Sequence, residues 1–137
     1  MKTVHVAAAI LCDRLPSPCR VFATARGYGE QKGGWEFPGG KVEPGETEEQ
    51  ALEREICEEL AIRVSAERLL CRVDYDYPAF HLSMACFLCL IREGTPVLRE
   101  AADAKWLSKA QLYSVAWLPA DESMLGKLES IMESLPE

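Results

Sequence analysis

The chain lacks the excess of basic residues that proteins binding nucleic acid polymers carry. It has 15 Lys and Arg against 22 Asp and Glu, so its formal net charge is −7. Binding to a phosphate backbone rests on basic surface, and this balance argues against DNA or RNA as a partner. A free polyphosphate would be repelled as well, so a polyphosphate substrate would have to arrive with metal ions or meet a few placed cations.

Long apolar runs are also absent. No stretch approaches the roughly 20 consecutive apolar residues of a membrane-spanning helix. The short apolar run that ends at Asp13 is typical of a first strand and not of a signal peptide. Repeats and linker-like segments are absent too. We therefore expect one domain over residues 1–137, large enough to bury a sizeable core, in a reducing cytoplasm.

The six cysteines are not accompanied by the further ligands of a zinc site. Cys86 and Cys89 form a C-x-x-C inside the apolar run Met84–Ile91, where a strand would point them to opposite faces. No second cysteine pair or histidine pair goes with them, so zinc is not expected. Most of the cysteines lie in apolar surroundings, where a free thiol behaves as a small buried hydrophobe.

Strand and helix patterns alternate along the chain. Strands are predicted at Val4–Cys12, Arg20–Ala25, Leu69–Tyr77, His81–Ile91 and Ala104–Leu107. A small helix capped by Ser108 and a last amphipathic helix from about Asp121 follow. The order β-β-α-β-β-β-α-α fits an α/β sandwich.

A longer helix is predicted from about Thr47 to Leu60. Thr47 and Gln50, three residues apart, have the spacing of a capping box. Leu52, Ile56 and Leu60 follow one another at steps of four residues and should face the core. The acidic residues of the helix are then left on the flank that borders this apolar face, at the edge of a cleft.

Three of these acids, Glu55, Glu58 and Glu59, share one face at i, i+3 and i+4. Like charges at this spacing repel each other and destabilise the helix, so their clustering is not explained by a contribution to folding. Binding of a hard divalent cation such as Mg²⁺ or Mn²⁺ would explain the clustering, because these ions are bound by carboxylates and substrate phosphates. The ordinary alternative is that these acids form a solvated helix face. The glycines and turn residues before the helix favour the interpretation as a metal site. Arg54 points away from the apolar face and should orient acidic groups or loop carbonyls.

The spacing of this segment resembles the Nudix box. It runs Gly40, five residues, Glu46, seven residues, and then the stretch Arg54–Glu59. Every fixed position of the family pattern is matched but one, because Ala61 stands where the family has the glycine of a left-handed helix end. If Ala61 adopts that conformation, it costs about 1 kcal/mol.

The resemblance extends over nearly the whole chain to the MutT branch of small nucleoside triphosphate pyrophosphohydrolases, including the lead-in Trp35–Glu43. It implies the Nudix fold, an α/β architecture with a mixed β-sheet sandwiched between α-helices. It also implies water attack on a nucleoside triphosphate, which gives the monophosphate and pyrophosphate. The alternatives are hydrolysis of another nucleoside diphosphate derivative and a non-catalytic nucleotide-binding module, and either a monomer or a homodimer is compatible.

For the metal site, the resemblance implies ligation of Mg²⁺ or Mn²⁺ by the Gly39 carbonyl and by Glu58 and Glu59. Glu55 matches a glutamate that acts as base or orients water, and which carboxylate is the base varies within the family. Glu100 aligns with a further loop glutamate that completes the site, or it is a solvated loop acid. The candidate metal ligands are Gly39, Glu55, Glu58, Glu59 and Glu100, and the candidate catalytic residues are Glu55, Glu59, Glu100 and Arg54.

For the substrate, Arg26 matches an arginine that touches phosphate, and Lys41 does the same or lies on the surface. Tyr77 matches an aromatic position of the base pocket, where stacking on a base is its physical role, or it is a tyrosine of the core or rim. Phe80 lies where the enzyme that removes 8-oxo-dGTP has an arginine. Asp121 stands where that enzyme has an asparagine reading the oxidised guanine.

An ionised Asp121 offers only acceptors, which suit the exocyclic amine of cytosine or guanine. The Pro119–Asp121 stretch also resembles relatives that hydrolyse CTP and modified deoxycytidine triphosphates. Asp121 is equally well placed to be the N-cap of the last helix. The substrate is therefore expected to be a small nucleotide, either a CTP-type substrate or an oxidised or modified one.

Overall fold

The computed structural model describes residues 1–135, which form an α/β arrangement of two β-sheets and three α-helices. The strands are β1 Lys2–Leu11, β2 Arg20–Ala25, β3 Trp35–Glu36, β4 Gly39–Lys41, β5 Arg63–Tyr77, β6 Phe80–Glu93 and β7 Asp103–Ser108. The helices are α1 Glu48–Leu60, α2 Pro119–Glu122 and α3 Leu125–Ile131, and a 3₁₀ turn spans Lys109–Gln111.

The larger sheet has the order β4-β1-β6-β5 and is mixed, as predicted. β1 runs parallel to β6, whereas β4 and β5 are antiparallel to their neighbours. The smaller sheet, β3-β2-β7, is antiparallel throughout. A parallel pair needs a crossover connection between its two strands. The chain between β1 and β6, which contains β2 to β5 and α1, provides this connection.

Two apolar clusters lie on opposite sides of the larger sheet. Alternate residues of β1 divide between them, so that Ala8 and Ile10 belong to one cluster and Ala9 and Leu11 to the other. The first cluster takes in α2, α3 and the smaller sheet, and the second takes in α1. Cys86 and Cys89 likewise fall in different clusters, which confirms their expected opposite orientation.

α1 has the predicted start and core face. The Thr47 hydroxyl accepts from the Gln50 backbone N–H at 3.1 Å, and the Gln50 side chain accepts from the Thr47 N–H at 2.9 Å. Leu52 and Ile56 are fully buried. Ala61 ends the helix in the left-handed conformation with φ 57°, and no other non-glycine residue in the described chain has positive φ.

Several predicted boundaries were wrong. β5 begins at Arg63 and not at Leu69, because register shifts against β6 interrupt the two-residue alternation that marks a strand. The short β3 and β4 were not predicted, since two or three residues carry no periodicity. The last helix is two helices, and Asp121 lies within α2 and does not cap a helix. Among the described residues, no helix has the length and apolarity that crossing a membrane requires.

Candidate active site

A cleft of about 450 Å³ opens between the ends of the two sheets, α1 and α2. Nine of the predicted site residues line it: Arg26, Gly39, Lys41, Glu55, Glu59, Tyr77, Phe80, Glu100 and Asp121. Two predicted residues, Arg54 and Glu58, are not part of its lining. The fold therefore brings together most of a set that is spread over 96 positions of sequence, from Arg26 to Asp121.

The glycines of β4 permit a close approach of the helix. Gly39 and Gly40 pair with β1, and a Cβ on Gly39 would overlap the Ala7 carbonyl. A Cβ on Gly40 would overlap the carboxyl group of Glu55. Because neither side chain exists, the Glu55 carboxylate lies directly against the strand backbone.

Arg54 is the centre of an ion-pair network beside the cleft. Its guanidinium donates to Glu46 at 2.8 and 2.9 Å, to Glu55 Oε1 at 2.8 Å and to the Lys41 carbonyl at 3.1 Å. The hydrogen bonds from Arg54 lower the pKa of Glu46 to about 2. These contacts confirm that Arg54 pairs with acidic groups, and the backbone carbonyl that it contacts is at the end of β4. A direct catalytic role of Arg54 stays a prediction.

Glu58 points out of the site. Its side chain is 60% exposed, and its carboxylate contacts Arg54 at 3.5 Å. The implied role of Glu58 as a metal ligand stays a prediction, and it would require a change of side-chain conformation that brings the carboxylate towards Gly39.

Glu59 is the most perturbed acid of the helix. Burial, together with the nearby charges of Glu55, Glu100, Glu36 and Glu58, raises its pKa to about 8. Such a carboxyl group gains most from a cation placed beside it, because the cation offsets both the burial and the repulsion.

The charge of the cleft fits a divalent cation. Six acidic side chains line it, from Glu36, Glu43, Glu55, Glu59, Glu100 and Asp121, against two basic ones, from Arg26 and Lys41. Carboxylate and carbonyl oxygens are the donors that Mg²⁺ and Mn²⁺ prefer. Within residues 1–135, however, no three Asp, Glu, His or Cys side chains stand in an arrangement that could hold a metal. The donor chemistry fits, and the ligand set itself stays a prediction.

Arg26 is held at the mouth of the cleft by residues that sequence reasoning did not single out. Its guanidinium donates to both carboxylate oxygens of Glu36, at 3.1 and 2.6 Å, and to Gln31 at 3.1 Å. A bidentate pair of this kind fixes the plane of the guanidinium. Tyr28, 60% exposed, lines the same mouth. The one sequence feature that could have identified Glu36 is its position next to Trp35, a residue that is buried in β3.

The loop that carries Glu100 is docked on the C-terminal end of α1. Val97 N–H donates to the Leu60 carbonyl at 2.8 Å, and the Arg99 guanidinium donates to the Glu58 carbonyl at 3.0 Å. On its other side the loop packs on Gly27, where a Cβ would overlap the Glu100 carbonyl. The exposed Glu100 therefore reaches the cleft from a backbone that two elements support.

The far end of the cleft is aromatic and contains one buried carboxyl group. Tyr77 and Phe80 have ring centroids 5.3 Å apart, and the Tyr77 hydroxyl accepts from the Ala120 N–H at 3.2 Å. Asp121 is 5% exposed and accepts from the Phe37 N–H at 2.9 Å. Burial raises the pKa of Asp121 to about 7. A flat apolar surface beside a carboxyl group suits a nucleobase.

Comparison with known proteins agrees with this geometry. The family model of the NUDIX domain matches residues 1–128. An 8-oxo-dGTP diphosphatase of Proteus vulgaris is 44% identical over 88 residues, which are 64% of this chain and 76% of that protein.

Two further relatives match over most of their length. A CTP pyrophosphohydrolase of Escherichia coli K12 is 29% identical over 136 residues, which are 99% of this chain and 98% of that protein. The solution structure of the E. coli ORF135 protein superposes with a TM-score of 0.78 at 28% identity and covers 95% of this chain and 91% of that one.

Proposed function

The chain belongs to the NUDIX family and is a hydrolase acting on phosphoric anhydrides, and on that premise we propose that it hydrolyses a nucleoside triphosphate to the monophosphate and pyrophosphate in a metal-dependent reaction. The observation that carries the proposal is the single cleft in which Glu55, Glu59 and Glu100 lie at one end and an aromatic wall at the other. The relatives named for this reaction support it, with 8-oxo-dGTP and CTP in their names.

Hydrolysis of the anhydride requires charge neutralisation on phosphate oxygens, an in-line water and an acceptor for its proton. A divalent cation, Mg²⁺ or Mn²⁺, would supply the first and would lower the pKa of the attacking water. The candidate ligands are Gly39, Glu55, Glu58, Glu59 and Glu100.

The chain's own groups position the phosphates and take the proton. Arg26 is pre-oriented by Glu36 and donates to a phosphate oxygen, with Lys41 as a second cation that lines the cleft. Arg54 holds one oxygen of Glu55 and leaves the other beside Gly40. Glu55, Glu59 and Glu100 are the candidates for the proton acceptor.

The base lies at the aromatic end in this proposal. Tyr77 and Phe80 provide the stacking surface, and Asp121 faces the edge of the base. In its ionised form the carboxylate accepts from an exocyclic amine, such as that of cytosine or guanine, and in its protonated form it also donates. The proposed substrates are therefore CTP, a modified dCTP and 8-oxo-dGTP, all small nucleotides.

The test is a panel of 8-oxo-dGTP, dGTP, CTP, dCTP, 5-methyl-dCTP, ADP-ribose and diadenosine polyphosphate with Mg²⁺ and then Mn²⁺, in which pyrophosphate and orthophosphate are measured separately. Metal-dependent pyrophosphate release from one of the triphosphates supports the proposal and names the base. Turnover of only ADP-ribose or the dinucleotide would replace it with a different anhydride, and binding without turnover would indicate a regulatory module.

The same panel with Asp121→Asn tests the base contact. The asparagine can still accept from the Phe37 N–H and adds a donor, so we expect the order of preferred bases to change. An unchanged order would leave Asp121 a structural partner of Phe37.

A further inference from the structure

Cys71 and Cys86 face each other across two neighbouring strands. They are register partners in the antiparallel pair β5–β6. A register shift between Leu69 and Cys71 interrupts the normal alternation, so that Leu70 and Cys71 both pack against the larger apolar cluster, to which Cys86 belongs. The two thiols therefore lie next to each other on one face of the sheet.

The backbone spacing of such a pair suits a disulfide. Directly opposed residues in antiparallel strands have Cα atoms about 4.5–5.5 Å apart. Disulfides are found at Cα separations of about 4.4–6.8 Å. A bond between Cys71 and Cys86 therefore needs rotation of the side chains and little movement of the strands.

The two thiols differ in their access to solvent. Cys86 is fully buried, whereas Cys71 is half-buried and lines a shallow cleft of about 290 Å³ beside Ser123 and Lys127. The adjacent Cys86 thiol lowers the pKa of Cys71 to about 7, with Lys127 acting in the same direction, while the pKa of Cys86 is raised. The thiolate is the reactive form of cysteine, so the accessible member is also the nucleophilic one.

The remaining cysteines do not share these features. Cys12, Cys19 and Cys89 are buried, and burial raises the pKa of Cys12 to about 12 and raises that of Cys89. Cys57 is exposed on α1 and has no register partner, because it is not in a strand. Among the cysteines, a directly opposed pair with one half-accessible member is thus found at Cys71 and Cys86.

We propose that Cys71 and Cys86 form an oxidation site at which a hydroperoxide converts the two thiols into a reversible disulfide. The Cys71 thiolate attacks one peroxide oxygen, the O–O bond breaks, and Cys71 sulfenic acid forms while the other oxygen leaves as water or alcohol after taking a proton. The Cys86 sulfur then attacks the Cys71 sulfur, the S–O bond breaks, and water leaves with the Cys86 proton. The peroxide gains two electrons and the thiols lose two, and an external thiol reverses the bond by exchange.

The site lies behind the substrate cleft and not in it. Cys86 follows Met84 on the same face of β6, and Met84 lines the cleft. The disulfide would join β5 to β6, the strands whose connecting turn is flanked by Tyr77 and Phe80. It is independent of the proposed hydrolysis, and its test needs no nucleotide.

Peptide mapping of the full-length wild-type protein tests the proposal. The folded, reduced protein is treated with stoichiometric hydrogen peroxide, remaining thiols are blocked with N-ethylmaleimide under denaturing conditions, and the sample is digested with trypsin without reduction. We expect the peptide Leu69–Arg72 linked to Val73–Arg92, and dithiothreitol should separate the two. Fragmentation of the second peptide must assign the bond to Cys86, because it also contains Cys89.

Matched variants complete the test. Cys57→Ser should leave the yield of linked peptide unchanged. Cys71→Ser should abolish it, and Cys86→Ala should leave a Cys71 sulfenic acid that dimedone traps. The proposal is overturned if wild-type Cys71 and Cys86 remain fully alkylated after peroxide, if Cys71 is linked to any other cysteine, or if Cys71 reaches the sulfinic acid while Cys86 stays a thiol.

Discussion

Asp121 is a buried side chain with an observed structural contact and a proposed role in base recognition. The sequence offered two interpretations, a helix cap and a base contact, and the structure removes the first. Its carboxylate instead accepts from the Phe37 N–H, 84 positions away in sequence, and lies at the aromatic end of the cleft. That contact ties α2 to the segment that leads into β4.

The raised pKa of Asp121 predicts a pH-dependent contribution to stability. Burial raises its pKa from 3.8 to about 7, so between these values the folded state holds a proton that the unfolded state has released. Stability must then fall as pH rises through this window, by a few kcal/mol at most, and the loss is complete above about pH 7. Asp121→Asn removes the titration and keeps the acceptor for Phe37.

The measurement is chemical denaturation of both proteins from pH 4 to pH 8. We expect the stability of Asp121→Asn relative to wild type to increase steadily over this range. A constant difference would show that Asp121 is ionised in the folded protein at all of these pH values.

Glu59 is the second residue at which the fold sets the chemistry. Glu59→Gln keeps the volume but removes the negative charge, so we expect turnover to fall by about 10²–10⁴-fold with the fold intact. Steady-state kinetics with circular dichroism measure both. Glu49→Gln, on an exposed turn of the same helix, is the control and should leave turnover near the wild-type value. Near-normal turnover of Glu59→Gln would refute its assignment to the metal site.

At the level of elements, α1 and its two flanking loops build the acidic end of the site. The turn before the helix is tied to it by Arg54, and the loop after β6 is tied to its C-terminal carbonyls by Val97 and Arg99. Carbonyls at a helix end lack partners within the helix, and here the Glu100 loop satisfies three of them, those of Glu58, Glu59 and Leu60. The contacts that complete the end of α1 therefore also fix the position of the loop that carries Glu100.

Ala61 makes a testable prediction about the end of this helix. Its left-handed conformation is unfavourable for a residue with a Cβ, so Ala61→Gly should raise the free energy of unfolding by about 1 kcal/mol. Gly45 provides the reverse control, since it has φ 85° with nothing near its Cβ position, and Gly45→Ala should lower stability by a similar amount. Thermal and urea denaturation measure both, and destabilisation by Ala61→Gly would contradict the assigned backbone strain.

At the level of the whole molecule, the charge of the cleft is the dominant property. The chain carries −7, and the cleft concentrates six acidic side chains against two basic ones. A nucleoside triphosphate is itself strongly anionic, so the free molecule and the free cleft repel each other. A divalent cation bound in the cleft would offset part of this negative charge.

This balance predicts that metal removal weakens binding as well as turnover. With a non-hydrolysable CTP or dGTP analogue, calorimetry in EDTA should give an affinity at least about tenfold lower than in Mg²⁺, and adding Mg²⁺ back should restore it. Calcium is a useful comparison, because it restores charge without the strict octahedral geometry of Mg²⁺. Equal affinity with and without divalent metal would contradict the proposed dependence.

The local features of this protein follow from its amino-acid sequence alone. The capping box at Thr47, the core face of Leu52 and Ile56, and the bounds of β2 follow from side chains close in sequence. The spacing of the box glutamates and the family resemblance identified nine of the residues that line the cleft. These are properties of helix periodicity and turn chemistry, which act over a few residues.

Features that depend on distant parts of the chain become visible when the chain is folded. The bidentate pairing of Arg26 with Glu36, the exposure of Glu58 and the contact of Asp121 with Phe37 arise where separate elements meet. The bulge that directs Cys71 towards Cys86 depends on the register between two strands. Register, burial and pKa depend on packing between elements, and no local pattern in the sequence carries that information.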